Sequence, residues 1–154
     1  MARSYFMQER WEEKARAEHA ELTAQEERQE ADISLYLDIK REAGHGGEAL
    51  EKILRAVEEK AVRYRITVNL WGKARRGSVS EGSVDEFERL EQNRTLSHNA
   101  LIDEVNLLSR QFREAGLDNE WRRTIGEGRD DVGRWALAVA QLIYRKFEDS
   151  HREY

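Results

Sequence analysis

The sequence predicts an all-α fold, a helical bundle of about four main helices with a long charged N-terminal helix. Three observations carry that expectation. The chain of 154 residues has no proline, where average usage of about 5% would supply roughly eight. Proline breaks helix interiors by clash and by its missing N–H, so its absence leaves long helices uninterrupted. Glu, Ala, Arg and Leu, all good helix formers, are abundant. Apolar residues recur in alternating steps of three and four, the spacing of a helix seam.

Residues 4–43 contain neither glycine nor proline and read as one helix. The chain through Glu30 holds the acids Glu9, Glu12, Glu13, Glu18, Glu21, Glu26, Glu27 and Glu30 against the bases Arg3, Arg10, Lys14, Arg16 and Arg28. Apolar anchors are sparse there, so residues 1–30 are expected to be a charged helical arm and residues 31–154 the bundle. Phe6, Met7, Trp11 and Leu22 are the arm's candidate partner-binding residues. Glu12 and Arg16 stand at i,i+4, a spacing that supports an exposed helix. Ile33, Leu35, Tyr36, Leu37 and Ile39 mark where the chain joins the core, and Gly44-His45-Gly46-Gly47 stops the helix.

The second helix is expected from Glu48 to Trp71, on the seam Leu50, Leu54, Val57, Ala61, Tyr64, Val68 and Trp71. Residues 64–71 also alternate at strand period, Ile66, Val68 and Leu70 against Arg65, Thr67 and Asn69. The unbroken seam decides for helix. Gly72 to Gly82 reads as a loop. Ser83 and Glu86 fit a capping box that opens a third helix running to about Ala115, with Gly116 as its stop. Asp118 suits the cap of a short helix ending at Ile125. Asp130 or Asp131 suits the cap of the last helix, whose seam is Val132, Trp135, Val139 and Leu142, flanked by Ala136, Ile143 and Phe147.

Composition narrows the function classes. There is no cysteine, which removes disulfides and thiolate metal sites and fits a reducing compartment. The N-terminus lacks an apolar signal region, and no apolar run approaches the ~20 residues of a membrane span. A cytoplasmic protein without membrane partners is therefore expected. The net charge of −5 does not suggest nucleic-acid binding in bulk.

Three constellations are candidates for chemistry. The third helix's seam reads Val84, Phe87, Glu91, Arg94, His98, Leu101, Val105, Leu108, Phe112 and Ala115, with three successive polar positions. Glu91, Arg94 and His98 share one face and are expected to form one connected, partly buried polar cluster, because unpaired buried charge is costly. That cluster is either a network that fixes helix register or a pocket in which His98 carries a proton or binds a ligand. Next, Lys60, Arg63, Arg65, Lys73, Arg75 and Arg76 fall in a stretch without acids, interleaved with Tyr64 and Trp71. Bases with aromatics suit phosphate contact and base stacking; the alternative is a solvated face beside core aromatics. Finally, Glu88-x-x-Glu91 and Glu127-x-x-Asp130 resemble the paired acidic motifs of all-helical nucleotide pyrophosphohydrolases, which hold Mg²⁺ between helices. The gap between the two motifs is long for that family, and Gly128 interrupts the second. His19, His45 and His151 lack ligand-spaced partners, Gly126-x-Gly128 follows a helix rather than a strand, and no serine sits in a nucleophile elbow. No metal ligand set or cofactor is expected.

The segment Arg94-Thr95-Leu96-Ser97-His98-Asn99-Ala100-Leu101-Ile102, with Asn106-Leu107-Leu108-Ser109-Arg110, resembles a family of small helical bacterial proteins of unknown function, common in Firmicutes and their mobile elements. The resemblance spans about residues 31–147 and omits the arm. It implies a helical domain and assigns no catalytic role. The functional expectation is a non-enzymatic interaction or regulatory protein acting by helix–helix contacts with itself or a larger protein partner. The resemblance adds the role of a mobile-element inhibitor or accessory factor. The alternatives are nucleic-acid binding through residues 60–76 and metal-dependent nucleotide pyrophosphohydrolysis.

Overall fold

A proline-free chain with seams at helical period forms helices wherever glycines do not interrupt it. The structure, a computed structural model, describes the backbone of residues 2–77 and 83–152 and the side chains of residues 8–77 and 84–146. Five helices and no strand occur among the described residues: α1 (Ala2–Ala43), α2 (Glu48–Arg76), α3 (Ser83–Glu114), α4 (Trp121–Ile125) and α5 (Arg129–Arg152). None of them is long and apolar enough to cross a membrane. Contacts divide the chain into two units, Met1–Ala31 and Asp32–Tyr154.

The first unit is a single helical stretch in which every side chain from Gln8 to Arg28 is exposed. Glu12 and Arg16 pair at 3.5 Å across one turn, as their spacing requires. The second unit holds the core, in which the anticipated seams of α2, α3 and α5 meet. Leu50, Leu54, Val57, Ala61 and Tyr64 are buried on α2. Leu101, Val105, Leu108 and Phe112 on α3 and Trp135, Ala136 and Val139 on α5 lose all contact with solvent. Tyr36, Ile39 and Ala43 bring the last third of α1 into the same core, and Trp121 and Ile125 bring α4. Leu142 and Ile143 are only partly buried. Phe147 and the Ser83 side chain lie outside the described residues.

Two expectations need correction. Residues 72–76 are not loop: α2 runs through Gly72 to Arg76, and the Gly77 N–H closes its last turn on the Lys73 carbonyl at 2.9 Å. One glycine costs a helix only about 1 kcal/mol. Lys73, Ala74, Arg75 and Arg76 are good helix formers, and the three bases favour the negative C-terminal end of the helix dipole. The second correction is the seam of α3. Its inward line follows Phe87, Leu90, Arg94, His98 and Leu101, so Leu90 takes the place assigned to Glu91, which is exposed. Both lines cover the same eleven residues from Phe87 to His98, so periodicity does not choose between Glu91 and Leu90; the placement of the neighbouring helix does. Helix α3 also ends at Glu114, and Ala115 is exposed.

The helix ends follow local chemistry. At the end of α3 the Leu117 N–H donates to the Phe112 carbonyl at 2.9 Å and the Gly116 N–H to that of Arg113 at 3.1 Å. This Schellman pair needs the positive φ of 75° that Gly116 supplies. Asp118 is not the N-cap of α4, which is Glu120; its Oδ1 instead accepts from the Glu120 N–H at 2.9 Å in the turn just ahead of the helix. Asp131, three residues into α5, reaches back to accept from the Gly128 N–H at 3.0 Å, which is the return half of a capping box. Gly126 makes room for that carboxylate: a Cβ there would collide with the Asp131 carboxylate, and its φ of 120° also disfavours other residues.

Candidate functional site

Helices α2 and α3 run antiparallel, and their polar residues meet in register at one end of the interface. Thr67 Oγ1 lies 2.7 Å from Ser97 Oγ. Each hydroxyl also faces a carbonyl of its own helix, Thr67 that of Tyr64 at 2.8 Å and Ser97 that of Arg94 at 2.9 Å. A hydroxyl has one proton, so one of the two donates across the interface and only the other keeps its bond to its own helix.

Beside this pair, Tyr64 stacks on His98 with ring centroids 4.9 Å apart and planes at 23°. His98 is buried, and its Nε2 donates to the Arg129 carbonyl at 2.9 Å. Because a carbonyl only accepts, the neutral ring carries its proton on Nε2. The Arg129 guanidinium donates in turn to Asn99 Oδ1, so α5 begins tied to α3 through both its backbone and its first side chain. Gly133, one turn on, is what lets α5 approach: a Cβ there would meet Tyr64 Oη at 3.0 Å and His98 Nε2 at 3.3 Å.

Arg94 lies over the Trp71 ring, its guanidinium carbon 4.4 Å from the centroid. Its Nε is buried without a hydrogen-bond partner. An open cleft of about 610 Å³ borders Arg94, Thr95, His98 and residues 128–131. The expected cluster of Glu91, Arg94 and His98 is therefore corrected in composition. Arg94 and His98 do face the helix interface, but Glu91 is exposed, and the partners are aromatic rings and a backbone carbonyl. Removing Arg94 would withdraw a stacking contact rather than strand a buried carboxylate.

The six bases do not form one face. Lys60 and Arg63 line a groove of about 320 Å³ with Thr67, Asn93, Leu96, Ser97 and Ala100. Arg65 turns toward α5, where it covers Tyr144 at 5.1 Å. Arg75 covers Trp71 at 5.3 Å, while Lys73 and Arg76 are exposed. Tyr64 is buried, and Trp71 is already engaged by the Arg94 and Arg75 guanidiniums, so both aromatics are spent on contacts within the fold. Glu88, Glu91, Glu127 and Asp130 are exposed. Among the described residues no group of three or more His, Asp or Glu side chains converges on a metal position.

On the arm, Trp11 is 78% and Leu22 58% exposed. The side chains of Phe6 and Met7 lie outside the described residues.

Two polar devices escaped the sequence reading. Asp32 is buried on α1 and accepts from Arg134 Nε at 3.2 Å. Arg134 Nη1 reaches Asp131 at 3.3 Å and Nη2 the Ile125 carbonyl at 3.3 Å. Asp32 lies four residues before Tyr36 on the buried stripe of α1, and a seam extended by one turn would have exposed that anomaly. The second device is Tyr36, whose phenol bonds Glu58. Burial, then the Glu58 charge, then that hydrogen bond push its pKa above the usual range. Burial also raises Tyr64; Arg94 opposes the shift and Asp130 adds to it.

Both phenols stay neutral in the fold where an unfolded tyrosine ionises, near about pH 10. The stability they contribute is present below that pH and is lost as pH rises through the folded-state values. The urea midpoint should accordingly decline above about pH 10, and Tyr36→Phe should flatten that decline. An unchanged alkaline profile in Tyr36→Phe would show that Tyr36 is not responsible.

Compared with models of protein families, with curated proteins and with solved structures, the chain matches none.

Proposed function

We propose that the chain is a non-enzymatic interaction protein that works through helix–helix contacts, its N-terminal helix being the surface presented to a protein partner or to a second copy. One observation carries the reading. Every side chain from Gln8 to Arg28 is exposed, and Trp11 and Leu22 are among them. Exposed tryptophan on an otherwise charged helix is what a helix–helix interface uses as an anchor. The resemblance of Arg94–Arg110 to small helical Firmicute proteins adds a bacterial setting and the role of a mobile-element inhibitor or accessory factor, and the absence of cysteine fits a cytoplasmic one. Nothing in the arrangement of Lys60 to Arg76 favours a nucleic-acid reading over this one.

The test compares the full chain with the double variant Trp11→Ala, Leu22→Ala. Both residues are exposed, so the variant should melt with the parent, within about 0.5 kcal/mol. It should also lose whatever protein co-purifies with the tagged parent from its native host. Retention of the same partner by the variant would remove the arm as the contact surface.

A further inference from the structure

The unpartnered face of the arm has a charge pattern that selects its occupant. Trp11, Ala15, Glu18 and Leu22 follow 4-3-4 spacing and fall on one stripe. Trp11 and Leu22 are eleven residues apart, about 16.5 Å along the axis and nearly in line. In heptad terms Trp11 and Glu18 take d, Ala15 and Leu22 take a. Glu12, His19 and Glu26 flank them at e, and Lys14, Glu21 and Arg28 at g.

A parallel pair of such helices would set Glu18 against Glu18 of the second copy in its core. It would also place Glu21 opposite Glu26 of the second copy at both g–e contacts. Two like-charge contacts and a buried acid pair oppose that arrangement. An antiparallel pair, with its two-fold axis between residues 16 and 17, replaces all of these. Trp11 then packs on Leu22 of the second copy, twice. Glu18 sits beside the small Ala15 of the second copy, with room to reach solvent. Lys14 faces Glu21 of the second copy, also twice, and Glu12 faces His19 of the second copy.

We infer that the arm is a self-pairing surface whose occupant is the same segment of a second copy, antiparallel, in the register that places Trp11 on Leu22 and Lys14 beside Glu21. The inference rests on the interaction role proposed above and names its partner. A two-fold pair of this kind is closed, so it yields dimers and no longer polymers.

The test uses the full chain in sedimentation equilibrium and in disulfide trapping, which the absence of cysteine makes clean. The parent should be a monomer–dimer system. Trp11→Ala should raise its dissociation constant roughly a hundredfold, since two anchors are lost per dimer. Lys14→Glu should raise it roughly tenfold, and Lys14→Glu with Glu21→Lys should restore it. Gln8→Cys mixed with Gln25→Cys, the next core a and d positions in this register, should give the heterologous disulfide, and neither variant alone should cross-link, because each lies about 25 Å along the axis from its own copy. Cross-linking of either variant alone means a parallel pair and overturns the inference. So does a parent that stays monomeric at all concentrations, or a Lys14→Glu, Glu21→Lys variant no better than Lys14→Glu. A monomeric parent whose other partner is still lost with Trp11→Ala, Leu22→Ala would defeat self-pairing and leave the interaction role standing.

Discussion

Arg134→Ala should destabilise the Asp32–Tyr154 unit by about 2–4 kcal/mol, a fall in melting temperature of roughly 10 °C. The Asp32 side chain is only 9% exposed, and Arg134 is its ion-pair partner. Breaking such a pair leaves an uncompensated carboxylate in a poorly solvated place, typically the most damaging outcome for a buried ion pair. The partial exposure of Arg134, at 37%, lets water screen the loss, so the lower part of the usual range applies. Arg134 also holds the end of α4 through the Ile125 carbonyl and the first turn of α5 through Asp131. The effect should therefore reach three elements. Arg134→Lys keeps the charge but not the guanidinium fork, and should recover only part of the stability.

The comparison that decides the matter is Arg41→Ala. Arg41 pairs with Asp38 at 3.1 Å, as short as the Arg134–Asp32 contact, but both side chains are more than half exposed. Its removal should cost under about 0.5 kcal/mol. Equal effects of the two substitutions in thermal melts would mean that Asp32 is adequately solvated without its partner.

Local periodicity carried most of the fold. The 4-3-4-3 run from Leu50 to Tyr64 and the run from Leu101 to Phe112 are each buried as spaced. Their seams survive because consecutive positions on one helix are fixed by the helix itself. Ile66 and Leu70 lie off the helix seam, and they are 53% and 47% exposed. Failures came where a choice of phase or a long-range partner decided. Counting four residues on from Phe87 gives Glu91, while counting three gives Leu90, and only the position of α2 selects between them. Gly72 looked like a stop because its cost is local, whereas Trp71 gains contact with Arg94 on another helix. Arg134 and Asp32 are 102 residues apart, and no pattern within one helix joins them. Arg94 and His98 were legible as inward-facing polar residues. That Tyr64, Trp71 and the Arg129 carbonyl would receive them was not, because each lies on another helix.

Gly133→Val should be the next most damaging of the substitutions considered, at about 2–3 kcal/mol, because it overpacks the point where α5 crosses Tyr64 and His98. The position is helical, so a glycine there costs about 1 kcal/mol of helix propensity relative to alanine. Only close approach accounts for its use. A Cβ would stand 3.0 Å from Tyr64 Oη and 3.3 Å from both Tyr64 Cε2 and His98 Nε2. The nearest atom is thus a hydroxyl that tyrosine has and phenylalanine lacks. Gly133→Ala in the parent should come out destabilised or neutral, propensity offsetting strain. In a Tyr64→Phe background the nearest clash is gone, so the same substitution should become stabilising. The coupling in that double-mutant cycle should exceed about 0.5 kcal/mol. It should be accompanied by a return of the His98 ring to its parental chemical shift, since the stacked pair no longer has to yield. Additive effects in the cycle would mean that the strain falls on the His98–Arg129 bond instead, and His98→Ala, rather than Tyr64→Phe, would then be the background that relieves it.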